Sequence, residues 1–157
     1  MKRVMGWPQA FLGLTINWGA LMGYAAAAGA CDWGVVLPLY LAGVNWSLVY
    51  DTIYAHQDKD DDVRAGVRST ALTLGARTKP ALAAFAAAQA GCLLVAGAAA
   101  GAGGAFAAAV AAGAAHQGWQ IVSTDLDDRS DCMAKFVSNK WYGGIIYAGI
   151  LADRLLA

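Results

Sequence analysis

The sequence has little charge for its length. Only 14% of its 157 residues are charged, whereas a soluble domain of this size carries about 25% charge. Hydrophobic residues make up 59% of the chain, and the mean hydropathy is +0.46. This composition predicts an all-α integral membrane protein, with an alanine-rich soluble helical bundle as the alternative. Because the net charge is zero, no overall electric field indicates a nucleic-acid partner.

Cysteine and histidine are also scarce. The chain contains three cysteines, at positions 31, 92 and 132, and two histidines. The cysteines are far apart, form no CxxC pair and do not give the even count of a disulfide framework. Without a cluster of these two residue types, the sequence offers no zinc site. We expect the cysteines to fill small apolar spaces between helices.

Long apolar stretches, in contrast, are abundant. Each is near the ~20 residues that cross a bilayer, and the five cover residues 4–30, 34–56, 80–100, 105–123 and 141–156. The first follows a short basic N-terminus but is too long for the apolar core of a signal peptide. Alanine and glycine dominate these stretches and allow helices to pack closely. We therefore expect about five transmembrane helices in a single domain over residues 1–157.

The basic residues lie almost entirely on one side of this five-span topology. That side holds ten of the eleven, namely Lys2, Arg3, Lys59, Arg64, Arg68, Arg77, Lys79, Arg129, Lys135 and Lys140. The other side holds only Arg154. Basic loops mark the cytoplasmic face of a bacterial plasma membrane, or the matrix face of a mitochondrial inner membrane. We expect a multi-pass protein of one of these two membranes.

Five of the eleven acids, all aspartates, occur within twelve residues at the end of the second apolar stretch. On a continuous helix, Asp51, Asp58 and Asp62 would share one face with Tyr54. Asp58 and Asp62 would repel each other at a spacing of four residues unless a cation lay between them. Magnesium suits this pair, because it takes one or two carboxylates and completes its shell with water and phosphate oxygens.

Basic side chains lie among the acids and just after them. Lys59, Arg64 and Arg68 could bind the oxygens of a diphosphate whose charge a metal ion shares. The alternative is a solvated charge run that ends a helix, and composition alone weighs the two interpretations equally. His56 lies between the acids, and for it we favour a structural role over that of a general base.

Three segments resemble one family of membrane enzymes. They are residues 50–62 (YDTIYAHQDKDDD) with 66–70 (GVRST), residues 7–19 (WPQAFLGLTINWG) and residues 131–139 (DCMAKFVSN). The first looks like the second aspartate-rich motif of the UbiA-type intramembrane prenyltransferases, and the resemblance extends over essentially the whole chain. It implies a helical membrane fold and transfer of a polyprenyl group from polyprenyl diphosphate to 4-hydroxybenzoate in ubiquinone biosynthesis.

The resemblance also implies roles for individual residues. Asp58 and Asp62 match the DxxxD pair that binds Mg²⁺ and the prenyl diphosphate, and Asp51 matches the acid that opens the motif. Lys2 and Arg3 match a basic pair of the substrate site, and a guanidinium such as that of Arg3 can bind a benzoate carboxylate through two hydrogen bonds. The remaining residues expected to contact substrate are Tyr50, Tyr54, Lys59, Arg64 and Arg68.

One part of the family pattern is missing from this sequence. The family has about nine transmembrane helices and a first motif of NDxxDxxxD type, which no segment of the chain matches. We therefore expect the chain to be the C-terminal half of a larger prenyltransferase domain, with an N-terminal half as its partner. The alternatives are a family member with another aromatic acceptor, a catalytically silent membrane fragment, and an ion-binding membrane protein. The last would place its acids in mid-membrane rather than at one face.

Overall fold

The structure, a computed structural model, describes residues 2–156, and every regular element in this range is helical. The α-helices are α1 (Pro8–Ile16), α2 (Trp18–Ala28), α3 (Trp33–Ala55), α4 (Lys59–Arg64), α5 (Thr70–Leu74), α6 (Thr78–Ala99), α7 (Gly104–Ser123) and α8 (Arg129–Leu156). A 3₁₀ turn at Gly75–Arg77 joins α5 to α6. The predicted all-α class is confirmed.

Four long helices, α3, α6, α7 and α8, enclose the core. One buried cluster contains Ala42, Leu93, Phe106, Val110 and Tyr142, and a second contains Val49, Ile53, Leu82, Ile121 and Cys132. Each cluster draws residues from all four helices. Short turns connect α6 to α7 and α7 to α8, which makes them antiparallel neighbours. The α1–α2 pair packs on α3 at the edge of this bundle.

The first apolar stretch forms two helices rather than one, because the chain breaks at Asn17. The Asn17 amide donates to the Gly13 carbonyl at 2.7 Å and to Ser47 Oγ of α3 at 3.0 Å. A side chain that competes for a backbone carbonyl in this way interrupts a helix. Gly43 of α3 leaves room for it, since a Cβ there would lie only 2.7 Å from Asn17 Cγ.

The last helix begins at Arg129, twelve residues before the expected start at position 141. Hydropathy alone did not predict the additional residues at the start of this helix, because some of them are charged. Cys132, Lys135, Asn139 and Tyr142 are nevertheless buried at helical spacing. Asp131 neutralises Lys135 within the same helix at 2.8 Å. Asn139 therefore lies inside this helix and not in a loop before the expected start at position 141.

Three segments are both long and apolar enough to cross a membrane: Pro8–Ala28, Trp33–Ala55 and Thr70–Ala99. Helices α7 and α8 have 20 and 28 residues but fall outside this group. Several of their polar residues are buried in the bundle, among them Gln117, Gln120, Lys135 and Asn139, and Gln117 donates to Gln89 of α6 at 2.8 Å. The protein is thus an integral membrane helical bundle with five long helical segments, two of them with polar inner faces.

Close packing between α7 and α8 gives a first prediction. A Cβ on Gly149 would overlap the Cβ of Ala109, whereas a Cβ on Gly144 of the same helix would meet no atom within 4 Å. Gly149→Ala should lower the free energy of unfolding by about 1 kcal/mol, because the steric overlap at the interface destabilises the protein more than the higher helix propensity of alanine stabilises it. Gly144→Ala should raise it by about 0.5–1 kcal/mol. Thermal denaturation in detergent would check both, and equal effects would contradict the packing.

Candidate active site

Three polar segments meet at one end of the bundle. They are the N-terminal residues before α1, the connection from α3 to α5, and the loop between α7 and α8. The Arg68 backbone nitrogen donates to the Lys2 carbonyl at 2.7 Å, which holds the first two together. Arg129 joins the third, since its guanidinium lies 3.4 Å from a carboxylate oxygen of Asp61. This end is the one on which the charge pattern placed almost all basic residues.

A buried ion pair lies at the centre of this end. The Asp62 side chain is almost fully buried, and its two oxygens lie 2.9 and 3.2 Å from Nζ of Lys2. The Lys2 side chain is 40% exposed. A buried carboxylate is costly unless a cation compensates its charge. The ammonium of Lys2 supplies that compensation here.

Two further carboxylates lie close to this pair. Asp51, in the last turns of α3, is half-buried, and the charges of Lys2 and Asp58 both act on it. Asp58, at the N-terminus of α4, is half-buried and makes no capping hydrogen bond. Lys2 thus pairs directly with Asp62 and acts through its charge on Asp51, which also senses the charge of Asp58. Three carboxylates against one ammonium leave excess negative charge, which would favour an additional cation.

The carboxylates fit part of a magnesium shell. Mg²⁺ requires oxygen ligands and accepts as few as one or two carboxylates from the protein. Asp58 is available for this role, whereas Asp62 becomes available only when Lys2 leaves it. Within residues 2–156, no three His, Cys, Asp or Glu side chains are grouped so as to enclose a metal. Water and phosphate oxygens would have to complete the shell.

A largely apolar groove runs along the inner faces of α3 and α8. Its middle part is a cavity of about 300 Å³ lined by residues that include Trp46, Gln89, Tyr142 and Ile146. Ile146 also lines a second cavity of about 170 Å³ near Asp153, at the opposite end. The indole nitrogen of Trp46 donates to Asn139 Oδ1 at 3.1 Å and so joins the two walls. The groove can hold an extended hydrocarbon chain.

Comparison with known proteins places this arrangement in a family. The model of the UbiA prenyltransferase family matches residues 1–144. The chain belongs to this family. The predicted resemblance is confirmed, and the UbiA match includes every acid of the cluster.

Curated relatives of this UbiA chain include plant and animal proteins. The chain is 55% identical, over 98% of its length, to 4-hydroxybenzoate polyprenyltransferase, mitochondrial, from Arabidopsis thaliana, and covers 38% of that protein. It is 50% identical to the Homo sapiens protein of the same name over 99% of its length and covers 42% of it. It is 47% identical to 4-hydroxybenzoate geranyltransferase 2 from Lithospermum erythrorhizon over 99% of its length and covers 51% of it. The chain thus spans about half the length of these relatives or less. No solved structure matches it.

The acidic motif of this UbiA chain is not one continuous helix, and this sequence prediction is wrong. Helix α3 ends at Ala55, and a new helix, α4, begins at Lys59. The break puts Asp60, Asp61 and Asp62 in the first turn of α4, where free backbone N–H groups favour negative charge. At the end of a continued α3 the same carboxylates would face the carbonyl end of the helix dipole.

The break also separates the tyrosines from the acids. Tyr54 does not share a face with Asp58 and Asp62 but packs on Phe136 of α8, with 4.8 Å between ring centroids. Tyr50 contacts the same ring at 5.7 Å, and its hydroxyl lies 3.4 Å from Ser47 Oγ. Both tyrosines therefore belong to the α3–α8 interface beside the groove.

The predicted basic residues do not converge on the carboxylate cluster. Lys59 lies 3.5 Å from Asp127 of the α7–α8 loop, and Arg64 lies 3.6 Å from Asp61. Arg68 and Arg3 are exposed. Of the residues that the sequence indicated, the structure brings together Lys2, Asp51, Asp58 and Asp62.

Sequence reasoning missed the groups that hold the motif in place. The buried Gln9 side chain accepts a hydrogen bond from the Thr70 backbone nitrogen at 3.0 Å. The hydroxyls of Thr52 and Thr70, both fully buried, are 2.8 Å apart. These bonds fix the end of the motif segment against α1 and α3. The only hint in the sequence was position, since Thr52 directly follows the candidate site residue Asp51.

The pKa values of His56 and Asp128, which lie outside the membrane-spanning segments, are both lowered. Burial, aided by the nearby Lys59 ammonium, lowers the pKa of His56. Hydrogen bonds from the Ser130 hydroxyl and backbone nitrogen, at 2.7 and 2.8 Å, lower the pKa of Asp128. Asp128 therefore stays charged and supports the start of α8.

Proposed function

We propose that this chain carries part of the active site of a Mg²⁺-dependent prenyltransferase, which transfers a polyprenyl group from polyprenyl diphosphate to 4-hydroxybenzoate in ubiquinone biosynthesis. The observation that carries this proposal is the cluster of Asp51, Asp58 and Asp62 around the ammonium of Lys2. The cluster lies at the basic end of a membrane bundle that contains an apolar groove. Family membership and the names of the relatives supply the reaction class.

The carboxylates and the lysine have complementary roles in this proposal. Asp58 and Asp62 would hold the metal ion, with Asp51 beside them, and the ion would supply positive charge to the departing diphosphate. When a cation reaches Asp62, Lys2 is free to turn toward the diphosphate oxygens. The more distant Lys59, Arg64 and Arg68 would act through their long-range charge.

The reaction breaks the bond between the allylic carbon and the diphosphate oxygen. A new carbon–carbon bond forms at the ring position ortho to the phenol of 4-hydroxybenzoate, and the ring proton is released to water. The groove between α3 and α8 would keep water from the reactive allylic carbon. Trp46 lines that groove, and Tyr50 packs edge-on against the Trp46 ring.

The identity of the aromatic acceptor is the most specific part of the proposal. Arg3 is exposed beside Lys2, where its guanidinium can reach a benzoate carboxylate. The relatives from three organisms are also named for 4-hydroxybenzoate. The alternative is another aromatic acceptor of the same family.

We further propose that the chain functions with an N-terminal segment of the kind its relatives have. The chain supplies one group of carboxylates and covers 38% of the Arabidopsis protein. The basic end would face the cytoplasm in a bacterial plasma membrane or the matrix in a mitochondrial inner membrane. The relatives named as mitochondrial are consistent with the second setting.

A chimera tests this function. The part of the Arabidopsis relative that precedes the aligned region would be joined ahead of this chain, and membranes containing it would be assayed with polyprenyl diphosphate and radiolabelled 4-hydroxybenzoate. We expect prenylated product that disappears when EDTA removes divalent cations. The chain alone should give little product, because half of the expected acids are absent.

The same membranes provide the controls. Homogentisate and a naphthoate as acceptors separate 4-hydroxybenzoate transfer from other reactions of the family. A chimera that inserts and resists denaturation but transfers nothing to any acceptor would refute the proposed function.

A further inference from the structure

A second polar cavity lies at the basic end of the bundle, separate from the carboxylate cluster. Its volume is about 300 Å³. The lining residues are His56, Lys59, Gly75, Ala76, Thr78, Lys79, Leu126 and Asp127. They come from the α3–α4 connection, the start of α6 and the α7–α8 loop. None of the proposed metal ligands takes part, and the long-range charge proposed for Lys59 does not account for the cavity itself.

His56 is buried in the wall of this cavity without a hydrogen-bond partner. It is 7% exposed, and neither ring nitrogen is paired with any described residue. A backbone group of Leu126 lies near the ring but does not reach hydrogen-bond geometry. Buried polar atoms are nearly always satisfied in folded proteins, by protein, water or ligand. The ring thus leaves an unsatisfied polar group in the wall of the cavity.

The cavity carries net positive charge. Lys59 and Lys79 both line it, against the single acid Asp127. Asp127 is largely exposed and lies 3.5 Å from Lys59, so the pair is weak. Lys79 forms no ion pair with a described residue and donates instead to the Val122 carbonyl at 3.0 Å. Two ammonium groups and an imidazole favour a small anion.

An apolar groove begins where Lys79 meets Val122. It has a volume of about 300 Å³ and runs between α6 and α7 on the outside of the bundle. Its walls are Ala83, Ala86, Ala87, Ala90, Ala114, Gly118, Ile121 and Val122. Ala83 lies one helical turn after Lys79, on the same face of α6. A cationic head site and an apolar tail site are thus in line along one face.

We propose that this face binds a phospholipid with an anionic head group. The phosphate would lie in the cavity of His56, Lys59 and Lys79, and an acyl chain would lie in the groove between α6 and α7. Basic pockets at the cytoplasmic or matrix end of membrane helices bind anionic lipids for this electrostatic reason. The apolar groove favours a lipid over a free phosphate, because only a lipid fills both the polar cavity and the groove. The proposal is independent of prenyl transfer.

Thermal denaturation of the purified chain in detergent tests the site. Added phosphatidylglycerol should raise the Tm by roughly 5 °C at saturation, and phosphatidylcholine should have little effect. Lys79→Gln should abolish the difference between the two lipids. Arg154→Gln removes one charge at the opposite end of the protein and should leave the difference intact.

A second variant tests the acyl groove without changing charge. Gly118 lines the groove and a Cβ there meets no atom within 4 Å, so we expect the side chain of Gly118→Leu to extend into the groove and fill it. It should also abolish the phosphatidylglycerol effect. The proposal is overturned if inorganic phosphate stabilises the protein as well as the lipid does and Gly118→Leu changes nothing. It is equally overturned if Arg154→Gln weakens the lipid effect as much as Lys79→Gln does.

Discussion

Replacing Asp58 with asparagine should reduce kcat for prenyl transfer by about 100- to 1,000-fold in the active chimera. A single preorganised group that stabilises transition-state charge contributes on this scale. Asp58 is the N-cap residue of α4 but makes no capping hydrogen bond, so its proposed role is to bind the metal ion. Asparagine has the same shape and also suits the N-terminus of α4, so the fold should be unchanged. Initial rates over a range of Mg²⁺ concentrations would show a weaker apparent affinity for the metal.

The matched control for Asp58→Asn is Asp60→Asn. Asp60 lies in the same short helix, but its side chain is 74% exposed and lies 3.7 Å from Arg129. An exposed pair of this kind contributes little, so we expect less than about a twofold change in kcat. Near-normal turnover of Asp58→Asn, or equal losses in both variants, would contradict the assignment of Asp58 as a metal ligand.

The fold was largely predictable because burial in a membrane protein leaves a strong signal. Apolar runs located four of the five long segments to within a few residues. The errors arose where polar residues pair within a helix, as with Asp131 and Lys135 in the first turns of α8. A hydropathy average assigns such residues to a loop, although their charges are paired within the helix. Asn17 is the opposite case, since one amide within an apolar run divides a helix.

The acids of the candidate site stand out in the sequence, but their geometry does not. Sequence spacing indicated Asp51, Asp58 and Asp62 and assumed one continuous helix. The structure gathers them through a helix break, which moves Tyr54 to the α8 interface. The contact between Lys2 and Asp62 spans sixty positions in the chain. Local periodicity contains no information about such a pair.

The pairing of Lys2 with Asp62 leads to the second large effect. Lys2→Met removes the ammonium but keeps an apolar side chain of similar length, so Asp62 remains buried without a cation. We expect the free energy of unfolding to fall by about 2 kcal/mol, because an unpaired buried carboxylate keeps its desolvation cost. The partial exposure of Lys2 admits water and keeps the loss below that of a fully buried pair. Adding Asp62→Asn removes the buried charge and should restore most of the stability.

Competition between Lys2 and the metal distinguishes a functional pair from a purely structural one. If Mg²⁺ and the ammonium share Asp62, Mg²⁺ should raise the Tm of Lys2→Met more than that of the unsubstituted chain at the same ionic strength. The metal then replaces the missing positive charge. Asp62→Asn, which lacks the shared carboxylate, should show the smallest Mg²⁺ effect. An identical Mg²⁺ shift in Lys2→Met and the unsubstituted chain would mean that the metal does not reach Asp62, and the ion pair would then be structural alone.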